Sequence, residues 1–212
     1  MCASELEFYM FHESLEEAAA KSYGNLTPHS LVVEDYHILQ TTRDEYLIRA
    51  IRNGVDGAGV PVEFSKGEAG RGQHEINLAY STPLEMADRH VVYKNGAKEI
   101  AAQHGRAITF MAKYTGADSG SSCHVHSSVW NDRGESLMWD EKATDHLSRT
   151  FRGWLGGQLA CGHELAWMYA PTVNSYNRYQ PESWAPTALA WSVDNRTCGF
   201  RIVGHGPSFR LE

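Results

Sequence analysis

Apolar and polar positions alternate from almost the first residue. Glu5-Leu6-Glu7-Phe8-Tyr9-Met10-Phe11 is aromatic-rich and predicts a buried strand. Strand side chains alternate between faces, so Glu5 and Glu7 share one face while Leu6 and Phe8 take the other. Residues 13–28 read as helix and loop. Residues 41–53 predict a helix with an apolar stripe of Tyr46, Leu47, Ala50 and Ile51, stopped by Gly54. Residues 60–64 form a short strand candidate, and residues 75–80 alternate as another. Thr82 reads as an N-cap before Pro83 and Glu85, opening a helix that should run to about His104 and end at Gly105. Residues 107–112 predict a strand and residues 114–122 a loop of Gly, Ser and Asp. Residues 123–130 then alternate, which places His124, His126 and Ser128 on one strand face. Residues 143–169 are the longest helical pattern, with Leu147, Phe151, Leu155 and Leu159 at spacing four, although Gly156, Gly157 and Gly162 weaken its continuity. Residues 200–203 read as a strand.

One stretch fits no periodic element. Lys66-Gly67-Glu68-Ala69-Gly70-Arg71-Gly72-Gln73-His74-Glu75 holds three glycines in six residues. Glycine serves where the chain needs positive φ or close backbone approach. A loop that folds back here brings Glu68 and Glu75 to one point. Two carboxylates at one point repel unless a cation sits between them or one takes a proton. A solvated turn with two unrelated glutamates is the plain alternative.

Composition narrows the class. With 212 residues, 42% hydrophobic and 21% charged, the chain is an ordinary globular sequence long enough to bury a core. A net charge of −7 disfavours a nucleic-acid or anionic-membrane surface. Cys2, Cys123, Cys161 and Cys198 form no Cys-x-x-Cys pair, so reduced thiols in a cytoplasmic setting are expected. No 18-residue apolar run predicts a membrane span, and the N-terminus has no secretory pattern.

In this acidic chain four arginines, 178, 196, 201 and 210, fall within 33 residues. Guanidinium forks match carboxylate and phosphate oxygens. Carboxylate-rich sites with little sulfur select hard cations such as Mg²⁺ or Mn²⁺. Acids, imidazoles and arginines together form the apparatus of phosphoryl transfer. No Gly-x-x-x-x-Gly-Lys-[Ser/Thr] loop or kinase motif set is present. The residues alone lead to a metal-dependent, nucleotide-using enzyme.

Five ordered motifs resemble the catalytic domain of the glutamine synthetase family: Glu5-x-Glu7, Glu68-x₄-Gln73-His74-Glu75, His124-x-His126, Asn174-Ser-Tyr-x-Arg178 and Asn195-Arg196-x₄-Arg201. The resemblance runs nearly end to end. It implies an α/β (α+β) fold, a curved antiparallel sheet funnel with helices outside, over a single catalytic domain spanning residues 1–212. It implies one divalent metal on Glu7, Glu68 and Glu75, and a second on Glu5, His124 and Glu212. It implies nucleotide contacts from His126 and Ser128, phosphate contacts from Arg196 and Arg201, and glutamate contacts from Arg178 and the Gly120 backbone, with Ser119 beside the substrate. Arg196 and Glu7 take catalytic roles in this carry-over. The implied reaction joins the γ-carboxylate of glutamate to ammonia or an amine, with ATP as co-substrate and two Mg²⁺ or Mn²⁺ ions per site. The implied assembly is a homo-oligomeric double ring.

Three departures qualify that reading. Trp184 stands where family members carry a glutamate that helps form the ammonium pocket, which points to a nucleophile other than ammonia; an indole face attracts cations and alkyl groups. Ser119 stands where asparagine is frequent. The family's N-terminal β-grasp domain and its C-terminal remainder are not in the sequence, so a truncated catalytic domain is expected. A truncated, inactive metal- and nucleotide-binding module is the alternative.

Overall fold

A computed structural model describes residues 1–212. The chain divides into two compact units, Ala3–His124 and Met1–Cys2 with Val125–Glu212. Each has its own core.

In the first unit β1 (Cys2–Met10) carries the acids of the first motif. A short helix α1 (Leu15–Ala20) follows behind a capping box of Ser14 and Glu17. Helix α2 (Ile38–Gly57) is longer at both ends than its apolar pattern predicts, because the His37 ring caps it by accepting from the Gln40 N–H. Its buried stripe is Asp44, Leu47, Ile48, Ile51 and Val55; Tyr46, expected in that stripe, faces outward. Strand β2 (Val62–Gly67) runs further into the glycine stretch than expected, and β3 (Gln73–Leu78) starts two residues earlier. Helix α3 (Pro83–Gln103) has the predicted proline start and stops before Gly105, whose φ of +66° glycine adopts without strain. The Thr82 side chain makes no capping bond. Strand β4 (Ile108–Thr109) is two residues long.

Strands β2, β3 and β1 are successive antiparallel neighbours, and β4 pairs antiparallel with β1. Phe8, Tyr9 and Met10 on the first strand, Phe11 just after it, and Ile76 and Leu78 on β3 are fully or almost fully buried. All six β3 residues are buried, so this strand is packed on both faces.

In the second unit β5 (Cys123–Ser127) begins one residue pair before the unit boundary, and ends three residues short of Trp130. The helix expected over residues 143–169 is broken into shorter pieces. Helix α4 (Arg149–Cys161) covers 13 residues and is preceded by non-helical chain. Ser148 caps it by accepting from the Phe151 N–H at 2.9 Å, and His146 has a left-handed φ of 58°. Leu147 therefore enters the core from outside the helix. Two single-turn helices, α5 (Ala166–Tyr169) and α6 (Val173–Tyr176), follow. Strands β6 (Trp191–Val193), β7 (Phe200–Val203) and β8 (Arg210–Leu211) end the chain. Strand β8 lies antiparallel between β7 and β5, but β6 runs parallel to β7. The antiparallel expectation fails there: residues 194–199 return the chain to the level of Trp191, so that Trp191 pairs with Phe200 and Val193 with Ile202. Met138, Leu147, Phe151, Leu155, Phe200, Ile202, Phe209 and Leu211 form this unit's core.

All four cysteines are free, as expected. No helix is long and apolar enough to cross a membrane.

Candidate metal centre

The register of three strands builds the first unit's acidic site. Glu7 on β1 faces Glu75 on β3, and Glu75 faces Lys66 on β2. Glu68 follows β2 and is returned to the same place by a tight connection, in which its N–H donates to the Gln73 carbonyl at 2.8 Å. Gly72, at φ +70°, makes the turn and packs against the backbone of His29 and Met10. One carboxylate oxygen from each of Glu7, Glu68 and Glu75 lies within 4.8 Å of the others. A second group, of Glu5, Glu7 and His124, meets the same limit, so Glu7 belongs to both.

Each acid is held by donors. Glu7 is 7% exposed and accepts from the Ser122 N–H at 2.8 Å, the Ser122 hydroxyl at 2.5 Å and Gln73 Nε2 at 3.2 Å. Burial, with the neighbouring Glu68 charge, raises the Glu7 carboxyl above its ordinary range; His124 and the Ser122 bonds pull the other way. Glu75 accepts from Asn77 Nδ2 at 2.6 Å, and burial together with the Glu5 charge and Glu68 pushes its carboxyl up to about 9. Glu5 lies 2.7 Å from His124 Nδ1. Three acids crowded in a half-dry site need positive charge.

Part of that charge is a lysine. The Lys66 ammonium bonds to Glu68, lies 3.6 Å from Glu75 and sits 4.8 Å from the Tyr36 ring. Burial alone would lower its basicity; the two carboxylates outweigh that and keep it charged. The sequence alone gives Lys66 no role. Its signal was its pairing position opposite Glu75, which only the register discloses.

The loop at residues 113–122 lines the same site. Gln73 Nε2 also donates to the Gly120 carbonyl at 3.0 Å and to Ser121 Oγ at 3.1 Å. The Ser119 carbonyl accepts from the Tyr9 hydroxyl at 2.6 Å. Gly120 and Ser119 are thus fixed by the two strands that carry the acids. Ser122, Gln73 and Asn77 hold the carboxylates and were not assigned roles by sequence reasoning.

The second unit gathers other expected residues. Glu212 is bound by Arg201, at 3.1 Å from Nε and 2.5 Å from Nη2, and lies 3.8 Å from His126 Nδ1. Arg210 Nε donates to that same His126 nitrogen at 3.1 Å. Ser128 Oγ accepts from the Trp130 indole at 2.8 Å. Arg196 stands exposed in the turn between β6 and β7. Arg178 follows α6 and is half-buried. Trp184 is 71% exposed at a left-handed φ of 61°.

An all-oxygen triad of Glu7, Glu68 and Glu75 fits a hard divalent cation, and the imidazole of His124 beside Glu5 and Glu7 suits one that also tolerates nitrogen. The lysine already drawn into the acids shows that the site attracts cations.

Known proteins share this plan. Residues 1–212 match the family described as glutamine synthetase, catalytic domain. Gamma-glutamylethanolamide synthetase GlnA4 of Streptomyces coelicolor is 48% identical over 209 residues, covering 99% of this chain and 44% of that protein. Glutamate–isopropylamine ligase of a Pseudomonas species is 35% identical over 211 residues, covering 99% of this chain and 46% of that protein. The ligand-free structure of GmaS superposes with a TM-score of 0.82 at 29% identity, over 99% of this chain and 47% of that one. Its ADP complex gives 0.83 at 28% identity, over 99% and 48%. The chain spans about half the length of the curated relatives it matches. By the match over its whole length, the chain belongs to the glutamine synthetase family and corresponds to its catalytic domain.

Proposed function

We propose that this chain is the catalytic part of an ATP-dependent ligase joining the γ-carboxylate of glutamate to an amine. The observation that carries the reading is the convergence of Glu7, Glu68 and Glu75, with Glu5 and His124 alongside. In the proposed sequence the γ-carboxylate attacks the ATP γ-phosphorus, ADP leaves, and an amine displaces phosphate from the acyl phosphate to give the amide. Bound Mg²⁺ or Mn²⁺ supplies charge neutralisation for the phosphoryl oxygens. Glu7, Glu68 and Glu75 would hold one ion; Glu5 and His124 would contribute to a second, with Glu212 assigned to it by family resemblance.

The chain's own residues do the rest. Ser122 and Gln73 orient Glu7, and Asn77 orients Glu75. The Gly120 backbone, Ser119 and Arg178 are assigned to the amino-acid substrate, His126 and Ser128 to the nucleotide. Arg196 and Arg201 are assigned to the phosphates. Arg201 lies against Glu212 and would exchange part of that pairing for phosphate oxygens.

The nucleophile we infer is an alkyl or hydroxyalkyl amine. Trp184 brings an indole in place of an acid, and relatives at 48% and 35% identity carry the names of ethanolamide and isopropylamine chemistry. A homo-oligomer and a cytoplasmic setting belong to the same reading. Exposed apolar side chains such as Leu31, Ile38, Leu39 and Val173 support an assembly that covers them. The test is ADP release by the protein in its full-length form, with glutamate and a panel of ammonia, ethanolamine, isopropylamine and polyamines. Glutamate-dependent turnover highest with a substituted amine supports the reading; no turnover with any amine overturns the ligase, and preference for ammonia overturns the amine class.

A further inference from the structure

Behind the catalytic acids lies a second titratable cluster that the ligase chemistry does not use. It consists of Glu34, Asp44 and His74, with His29 attached. Strand alternation separates the two: His74 and Glu75 are neighbours on β3, so their side chains leave by opposite faces. Glu34 is fully buried, Asp44 2% exposed and His74 1% exposed. His74 Nε2 lies 2.9 Å from Asp44 Oδ2 and 3.8 Å from Glu34 Oε2. The other Asp44 oxygen lies 2.7 Å from His29 Nδ1.

The decisive observation is Glu34. Both of its carboxylate oxygens are buried and neither makes a hydrogen bond of good geometry: Ser30 and Asp44 are its near polar neighbours, but the Ser30 hydroxyl is committed to Val32 and Gln40. Such a group costs stability unless something else satisfies it. Its seat is nonetheless built with care. A Cβ on Gly67 would fall 2.6 Å from the Glu34 carbonyl oxygen and 2.7 Å from its Cβ, so β2 uses glycine to let this residue press inward. Asp44 in turn takes a place in the apolar stripe of α2 and reaches His74 on β3. One atom each of Glu34, Asp44 and His74 lies within 4.8 Å of the others, close enough for small side-chain shifts to bring all three to one ion at about 2.0–2.2 Å each.

We propose that Glu34, Asp44 and His74 form a structural divalent-metal site, separate from the catalytic centre, taking an ion of the Zn²⁺ or Mn²⁺ class. Two carboxylates and one imidazole suit that class. His29, donating to the remaining Asp44 oxygen, is the outer partner that fixes a ligating carboxylate. The ion ties three separate pieces together: the chain before α2, α2 itself and β3. Strand β3 is the one that presents Glu75, so the site braces the catalytic acids from behind. The rival account is a proton on Glu34 donated to a neighbouring acceptor.

The test uses this chain with Glu7→Gln, Glu75→Gln and His124→Gln together, which removes donors from both catalytic groups. The amides keep the shape of the two acids and remove their mutual repulsion. After chelation and titration with Zn²⁺ or Mn²⁺, this variant is expected to bind one equivalent of one of these ions and to melt several degrees higher with it. Adding Glu34→Gln is expected to weaken that binding at least tenfold and abolish the melting shift. X-ray absorption of the Zn²⁺-loaded triple variant provides a readout that does not depend on the fourth substitution folding; imidazole together with oxygen ligands is expected. Failure of the triple variant to bind either ion overturns the proposal. So does unchanged binding after Glu34→Gln, which would leave the shared proton as the account, or an all-oxygen shell. The ligase reading is untouched by any of these outcomes, because it rests on the opposite face of β3.

Discussion

Glu7 and Glu75 stand directly opposite one another on adjacent antiparallel strands, and both are almost completely buried. Opposed acids in a cross-strand pair destabilise a sheet. The pair therefore stores a requirement for positive charge, met in part by Lys66 on the next strand.

The first prediction concerns pH in the metal-free protein. Burial and the Glu5 charge raise the folded-state Glu75 carboxyl to about 9 from an ordinary value of 4.5. The folded state thus holds its proton more tightly than the unfolded state does. The stabilisation is fully present below about pH 4.5 and is lost as pH rises to about 9. The slope approaches about 1.4 kcal/mol per pH unit for one proton. Urea denaturation in chelator at pH 5, 7 and 9 should show a steady fall in wild type and a much flatter profile in Glu75→Gln.

Lys66 gives the second. Its ammonium occupies the space beside Glu68 and Glu75 that a divalent ion also seeks. Replacing it in Lys66→Met removes a competitor for the acids. Calorimetric titration should find Mn²⁺ bound about tenfold more tightly, a gain of about 1.4 kcal/mol, while the metal-free protein melts at a lower temperature. Equal or weaker binding would show that the lysine and the ion do not compete.

The third addresses the amine. In the full-length protein Trp184→Glu should move kcat/KM toward ammonia and away from alkyl amines, by at least tenfold in their ratio. An unchanged ratio would remove Trp184 from the choice of nucleophile.

A fourth tests how the loop supports the acids. A Cβ on Gly70 would overlap the Tyr9 hydroxyl and lie 2.7 Å from Gln73 Oε1. Both side chains also bond to the loop at residues 119–121, and Gln73 reaches Glu7. Gly70→Ala should cost about 1–3 kcal/mol of stability from overpacking. It should also weaken Mn²⁺ binding, because the displaced Gln73 no longer orients Glu7.

How much of this was legible beforehand follows from what each signal depends on. The carboxylate cluster was readable because Glu5, Glu7, Glu68 and Glu75 lie in short motifs whose alternation is local. Lys66 was visible as a residue but not as a partner, since its role depends on strand register. Asp44 carried a usable sign: an aspartate spaced among Leu47, Ile48, Ile51 and Val55 on one helix face. Glu34 carried none, because nothing in residues 31–37 marks one acid as buried among exposed neighbours. The helix at residues 149–161 was overextended because Leu147 fits the four-residue spacing while Ser148, the actual cap, interrupts nothing apolar. The parallel pairing of β6 and β7 depends on how residues 194–199 return the chain, which composition does not encode.

The central claim is that Glu7, Glu68 and Glu75 jointly hold a catalytic divalent ion. Its most direct measurement is the Mn²⁺-dependent shift in melting temperature of wild type beside Glu75→Ala. The account predicts a clear rise for wild type, saturating with added Mn²⁺, and a shift in the variant reduced to whatever other sites supply. An identical rise in both proteins would contradict it.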